Sequence, residues 1–230
     1  MRDKAVILLS GGLDSLAALG YVLSRNEYDI VLALTFDYGQ NAVKQEIIAS
    51  SNIAKHYNIE HRVIKLDWLK QITKNSLTGK GAVPTEDLGT EESMKSVWIP
   101  NRNGLFLNIA AAFCDAYGYK HIIYGANKDE GATFPDNTEN FRSEITNVFK
   151  TSTLVKPDVI APLINYGKDD IVKIAIDNSV PLEYVWSCYN SGERHCGECE
   201  SCCHLKNALI ANHCERYLEL LFGNENKIYR

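Results

Sequence analysis

The chain has 230 residues, a net charge of −5, 45% hydrophobic and 23% charged residues, so it can bury a full core as an ordinary globular protein. The acidic balance excludes capture of nucleic acid by bulk electrostatics, so no stable nucleic-acid binding is expected. No apolar run reaches membrane-span length and the opening Met1-Arg2-Asp3-Lys4 is not expected to be a signal peptide, which leaves a cytoplasmic enzyme acting on a small molecule as the expectation, with no membrane partner.

In chain order, Lys4–Leu9 is an apolar run that predicts a buried strand, and Asp14–Arg25 opens on strong helix formers. Ile30–Phe36 predicts a second strand, Val43–Tyr57 repeats apolar residues at helical spacing, and His61–Leu66 alternates as a third strand. Strands separated by helices of this length predict right-handed βαβ units and a parallel sheet. Trp68–Lys95 is polar, carries Gly79, Gly81, Pro84 and Gly89, and predicts a long loop of the kind that serves as a lid. Helices are then predicted over Gly104–Tyr117, Asn140–Lys150, Lys168–Asn178 and His204–Phe222, with a short strand at His121–Gly125. With no repeat or linker, the pattern reads as one α/β domain over residues 1–180 with a C-terminal cap over 181–230.

The junction between the first strand and helix carries Ser10-Gly11-Gly12-Leu13-Asp14-Ser15. A strand that turns through paired glycines into a helix aims bare N–H groups and a helix N-terminus at one point, which is an anion site. The serine hydroxyls can donate to phosphate oxygens, and Asp14 stands where a carboxylate could hold a magnesium ion. No Gly-Lys-Ser/Thr follows, and there is no Gly-x-Gly-x-x-Gly, so the loop is neither a Walker A nor a dinucleotide fingerprint. It resembles the PP-loop of the ATP pyrophosphatases, which cleave ATP to AMP and pyrophosphate while adenylating a substrate.

Cys188-x7-Cys196-x2-Cys199-x2-Cys202 is the second signal. Two residues between cysteines let one tight turn direct both thiolates to a single tetrahedral ion, and four thiolates leave no open position, so the spacing predicts a structural zinc. Cys203 adjoins Cys202, and His195 or His204 offers an alternative ligand. An iron–sulfur cluster, a redox dithiol and unrelated buried cysteines compete with that reading. Cys114 and Cys214 read as core or half-buried residues.

Together these motifs resemble the 7-cyano-7-deazaguanine synthases, PP-loop ATP pyrophosphatases of the queuosine and archaeosine pathways. The resemblance runs through Thr35-Phe36-Asp37-Tyr38-Gly39-Gln40, Ile99-Pro100-Asn101-Arg102-Asn103, Gly125-Ala126-Asn127, Pro135-Asp136, Ala161-Pro162-Leu163-Ile164 and Trp186-Ser187-Cys188-Tyr189 to the last cysteines. It implies a doubly wound parallel sheet of the adenine nucleotide alpha hydrolase type with a small zinc-binding helical cap, assembled as a homodimer. It also implies ATP, Mg²⁺ and Zn²⁺, and a substrate, 7-carboxy-7-deazaguanine, whose adenylated carboxylate meets free ammonia. An amide forms first, and a second activation dehydrates it to the nitrile.

On that resemblance Leu8, Leu9, Ser10, Gly11, Gly12, Leu13, Asp14, Ser15, Thr35 and Phe36 would bind the nucleotide. Ser10, Asp14, Ser15, Arg102 and Lys168 would serve catalysis, Arg102, Phe134 and Asp136 would bind substrate, and Cys188, Cys196, Cys199 and Cys202 the metal. One stretch departs from the family: Glu130 replaces an aspartate, Ala132-Thr133-Phe134 replaces Ser-Gly-Tyr, and Asn137-Thr138 replaces Cys-Arg. That departure keeps an alternative in view, transfer of the activated acyl group to another amine, conceivably on a protein. A zinc-stabilised binding module and a PP-loop enzyme acting on tRNA are the competitors from other classes.

Overall fold

The computed structural model describes residues 2–73, 75–79 and 95–223. Five strands, β1 (Asp3–Leu8), β2 (Tyr28–Asp37), β3 (Glu60–Lys65), β4 (His121–Ile123) and β5 (Asp158–Ile160), form one sheet in the order β3-β2-β1-β4-β5 with every neighbouring pair parallel. The strand order reverses at β1, so the crevice for a ligand opens at the carboxyl ends of β1 and β4.

Both faces of the sheet are covered, which is why β1 is apolar at successive positions instead of alternating. Ala5, Ile7 and Leu9 face a core made with helices α1 (Leu13–Arg25), α2 (Val43–His56) and the C-terminal helices. Val6 and Leu8 face a second core with Leu107, Ala110 and Ala111 of α4 (Arg102–Tyr117) and Phe149 of α6 (Glu139–Ser152). The first core also takes in Val180, Val185, Leu205, Leu209, Tyr217 and Leu221, so the C-terminal segment shares the packing of β1 and α1.

Three features depart from the pattern reading. The predicted loop from Trp68 holds a short helix, α3 (Asp67–Ile72), because Leu69 is buried under it; residues 74 and 80–94 of that stretch lie outside the described residues. Strand β5 has no signal of its own: three residues are too few for a period, and their pairing with β4 creates the strand. The predicted C-terminal helix is two helices, α8 (Glu200–Ala211) and α9 (Glu215–Phe222), separated at His213, which takes a left-handed φ of 55°. Two further α-helices are a single turn, α5 (Lys128–Gly131), and α7 (Lys168–Asp177). Among the described residues no helix is long and apolar enough to cross a membrane.

Candidate active site

The loop after β1 turns at Gly11, whose φ of +87° and close packing leave no room for a side chain: a Cβ would lie 2.8 Å from both Ala49 Cβ and the Glu46 carbonyl. Gly12 caps α1 with no side-chain cap hydrogen bond, so the first-turn N–H groups stay directed at the crevice. Ser15 Oγ donates to the Gly12 carbonyl at 3.0 Å, Ser10 Oγ accepts from Gly12 N–H at 3.2 Å, and the two hydroxyls stand 3.1 Å apart. Across the crevice Gly125, just past β4, comes so close that a Cβ there would sit 2.8 Å from the Asp14 carbonyl carbon and Ser15 N.

One cleft of about 420 Å³ opens over this loop. It is lined by Leu8, Leu9, Ser10, Gly12, Leu13, Asp14, Ser15, Thr35, Phe36, Arg102, Phe134, Asp136 and Lys168, which is every predicted nucleotide, catalytic and substrate residue except Gly11. Glu46, Trp98 and Tyr124, to which the sequence pattern assigns no role, also line it. They come from three separate stretches of the chain, so no spacing could single them out.

Lys168, at the start of α7, reaches across to donate to both Asp14 oxygens at 2.8 Å, with Glu130 3.7 Å away. Its own backbone N–H is held by Asp129 at 2.7 Å. The side chains of Lys168 and Asp14 are only 17% and 21% exposed. Burial raises the Asp14 carboxyl and Lys168 opposes it; burial works against the Lys168 charge, but Asp14 and Glu130 outweigh it and keep the amine protonated. Asp14 is thus already facing one cation, and its carboxylate suits magnesium as a donor.

Arg102 opens α4 behind the left-handed Asn101 and donates to Tyr38 Oη at 3.5 Å. Asp136 sits at the same helix N-terminus, accepting from Asn103 N–H at 3.4 Å and from Asn137 Nδ2 at 3.1 Å. Burial raises its carboxyl, with Arg102 opposing. Phe134 stacks on Trp98 with ring centroids 5.5 Å apart, and Phe36 stacks on Phe106 at 3.9 Å, so aromatic walls flank the polar groups. Thr35 is committed to the scaffold: its hydroxyl donates to the Leu9 carbonyl at 2.5 Å and so takes the Nε2–H of His61 at 2.8 Å as an acceptor.

Beside this cleft, Cys188, Cys196, Cys199 and Cys202 place their Sγ atoms within 4.8 Å of one another. Cys196 and Cys202 are 3.8 Å apart, the edge of a tetrahedron whose ligands lie about 2.3 Å from a central ion. Backbone N–H groups of Asn190 and Cys196 donate to Cys188 Sγ, and that of Cys199 to Cys196 Sγ, as thiolates require. The donor set fits a single four-coordinate metal ion. Cys203 points away and donates to the Glu198 carbonyl. His195 is excluded too: its Nε2 accepts from Ser187 N–H at 3.0 Å, and burial between Trp186 and Phe222 lowers its pKa to about 4. His204 is 54% exposed, lines the cleft and lies outside the four-sulfur group. The knuckle braces the phosphate loop, since Trp186 N–H donates to the Gly11 carbonyl at 2.9 Å and Trp186 Nε1 donates to the Cys188 carbonyl at 3.1 Å.

A family model described as queuosine biosynthesis protein QueC matches residues 4–213. The 7-cyano-7-deazaguanine synthase of Methanosarcina mazei is 46% identical over 210 residues, covering 86% of this chain and 90% of that protein. The 7-cyano-7-deazaguanine synthase of Bdellovibrio bacteriovorus is 46% identical over 218 residues, covering 91% and 94%. Among solved structures, the U34-tRNA thiolase NcsA from Methanococcus maripaludis aligns with a TM-score of 0.50 at 16% identity, over 96% of this chain and 71% of its own, a likeness of fold alone. A match this long, carried through the phosphate loop and the cysteine knuckle alike, decides the matter: the chain belongs to the family of the queuosine biosynthesis protein QueC.

Proposed function

We infer that this chain is an ATP-dependent ligase that converts 7-carboxy-7-deazaguanine and ammonia into 7-cyano-7-deazaguanine. The observation that carries the reading is its 46% identity, over most of both chains, to synthases of that name. The cleft supports it, because it gathers the glycine-serine turn, the Arg102 guanidinium and a stacked aromatic pair in one place. No observation favours another amine as acceptor.

A carboxylate is a poor electrophile, so the reaction begins by giving it a leaving group. The substrate carboxylate attacks the α-phosphate, the bond to the bridging oxygen breaks, and pyrophosphate departs as the acyl adenylate forms. Ser10, Ser15 and the N–H groups at the start of α1 would hold the departing phosphates, while Lys168 leaves Asp14 for the α-phosphate. Magnesium, held by Asp14, would offset phosphate charge. Leu8, Leu9, Leu13, Thr35 and Phe36 would form the adenine side, Arg102 would fork onto the substrate carboxylate, and Phe134 and Asp136 would take the ring. Ammonia then displaces AMP to give the amide. A second ATP activates the amide oxygen, and loss of AMP leaves the nitrile.

Cys188, Cys196, Cys199 and Cys202 would hold zinc, with no open position for chemistry. We read residues 181–230, of which 224–230 lie outside the described residues, as a cap on the 1–180 domain, the assembly as a homodimer and the protein as cytoplasmic. Incubation with the acid, ATP, magnesium and ammonium, followed by mass spectrometry, tests the activity. Amide and then nitrile are expected, with pyrophosphate released at each activation. Neither product after full nucleotide turnover would overturn the reading.

A further inference from the structure

Tyr124 stands at the carboxyl end of β4, one residue before the glycine that touches the phosphate loop, and it lines the cleft. The residue is 3% exposed, and its hydroxyl has no hydrogen-bond partner. Buried hydroxyls are nearly always paired, and one left alone calls for a group that the folded chain does not itself provide. Packing gives no reason for it, because phenylalanine would fill the same space without a stranded oxygen. Burial, and next the Asp136 carboxyl, raise its pKa, so it stands as a protonated donor in neutral solution.

The groups around it define what would satisfy it. Asp136 is buried and oriented by Asn103 and Asn137, and its carboxylate keeps acceptor capacity beyond those two bonds. The stacked Phe134 and Trp98 supply a flat apolar wall on the same cleft. A donor and an acceptor beside an aromatic wall suit a planar heterocycle with a ring N–H next to a ring carbonyl. Resting on the synthase reading, we propose that Tyr124 determines specificity, its hydroxyl donating to the ring carbonyl of the deazaguanine acid while Asp136 takes the neighbouring N–H groups.

The test is binding and kinetics of wild type and Tyr124→Phe with two ligands: 7-carboxy-7-deazaguanine and the same acid with hydrogen in place of the ring carbonyl oxygen. Tyr124→Phe is expected to weaken the Kd and raise the KM for the natural acid about tenfold, the size of one neutral hydrogen bond, with the KM for ATP unchanged. The analogue is expected to bind both proteins equally, and the urea midpoint of the variant to be equal to or above that of wild type. Unchanged affinity for the natural acid would show that the hydroxyl serves only a buried water and would overturn the proposal. Equal weakening of acid and analogue would trace the effect to packing and overturn it as well. Wild type that converts the acid while Tyr124→Phe matches it removes this proposal alone; wild type that never converts the acid removes the synthase reading and this proposal with it.

Discussion

The turn that follows β1 requires glycine at Gly11. Alanine there would carry both a left-handed φ and a Cβ pressed 2.8 Å from the Glu46 carbonyl, a backbone atom that cannot swing aside. Gly11→Ala is therefore expected to cost about 1–3 kcal/mol in urea unfolding; an unchanged midpoint would refute the argument. Glu46, which supplies that carbonyl, carries a side chain that burial raises above the ordinary value of 4.5, with the hydrogen bond from Gln40 opposing. A carboxyl raised on folding holds its proton more tightly in the native state. Its contribution is thus most favourable below 4.5 and falls as pH rises through the native value. Glu46→Gln keeps an acceptor for Gln40 and removes that titration. The variant should equal or exceed wild type in stability near neutral pH and lose any advantage by about pH 4. A wild type that gains on the variant as pH rises would reverse the sign and refute it. At this scale the serines, Asp14 and the cysteines are legible because spacing alone exposes their chemistry. Tyr124 and Glu46 are not, because a tyrosine and a glutamate look the same in sequence whether paired, exposed or stranded.

Among the elements, the cysteine knuckle and α8 form a single unit, since Cys199 caps the helix and Cys202 lies in its first turn. The predicted start at His204 falls late because the helix begins on Glu200-Ser201-Cys202-Cys203, inside the cysteine cluster, whose composition does not look helical. Cys199→Ser is expected to lose the bound metal, measured by elemental analysis of the purified protein. It should also weaken ATP binding through the hydrogen bond from Trp186 to Gly11. Cys203→Ser should keep both, because its thiol bonds the Glu198 carbonyl and lies outside the four-sulfur group; metal loss in that variant would reassign the fourth ligand. Strand β5 shows the limit of local reading from the other side: Asp158, Val159 and Ile160 become a strand only because β4 presents an open edge to them.

For the molecule as a whole, stability rests on two cores divided by one sheet and joined through β1. Gly20 marks where α1 meets the C-terminal segment, and a Cβ there would fall 2.1 Å from Val180 Cγ1. Two effects oppose each other in Gly20→Ala: helix propensity gains about 1 kcal/mol, whereas overpacking costs about 1–3 kcal/mol. Net destabilisation is expected, with Val180→Ala restoring part of it in the double variant, and additive losses in urea unfolding would show that the two residues do not couple. Strand and helix periods, the glycine-serine loop and the four-cysteine spacing are all local patterns, so the sequence by itself determined the parallel α/β class, the sharp glycine turn after the first strand and the gathering of four cysteines. Folding alone decided that Lys168 meets Asp14 from 154 positions away, that Trp186 ties the knuckle to Gly11, and that Tyr124 stands unpaired beside Asp136. These depend on which strand ends and helix starts converge at the reversal of strand order, and convergence belongs to the packed sheet rather than to any stretch of chain.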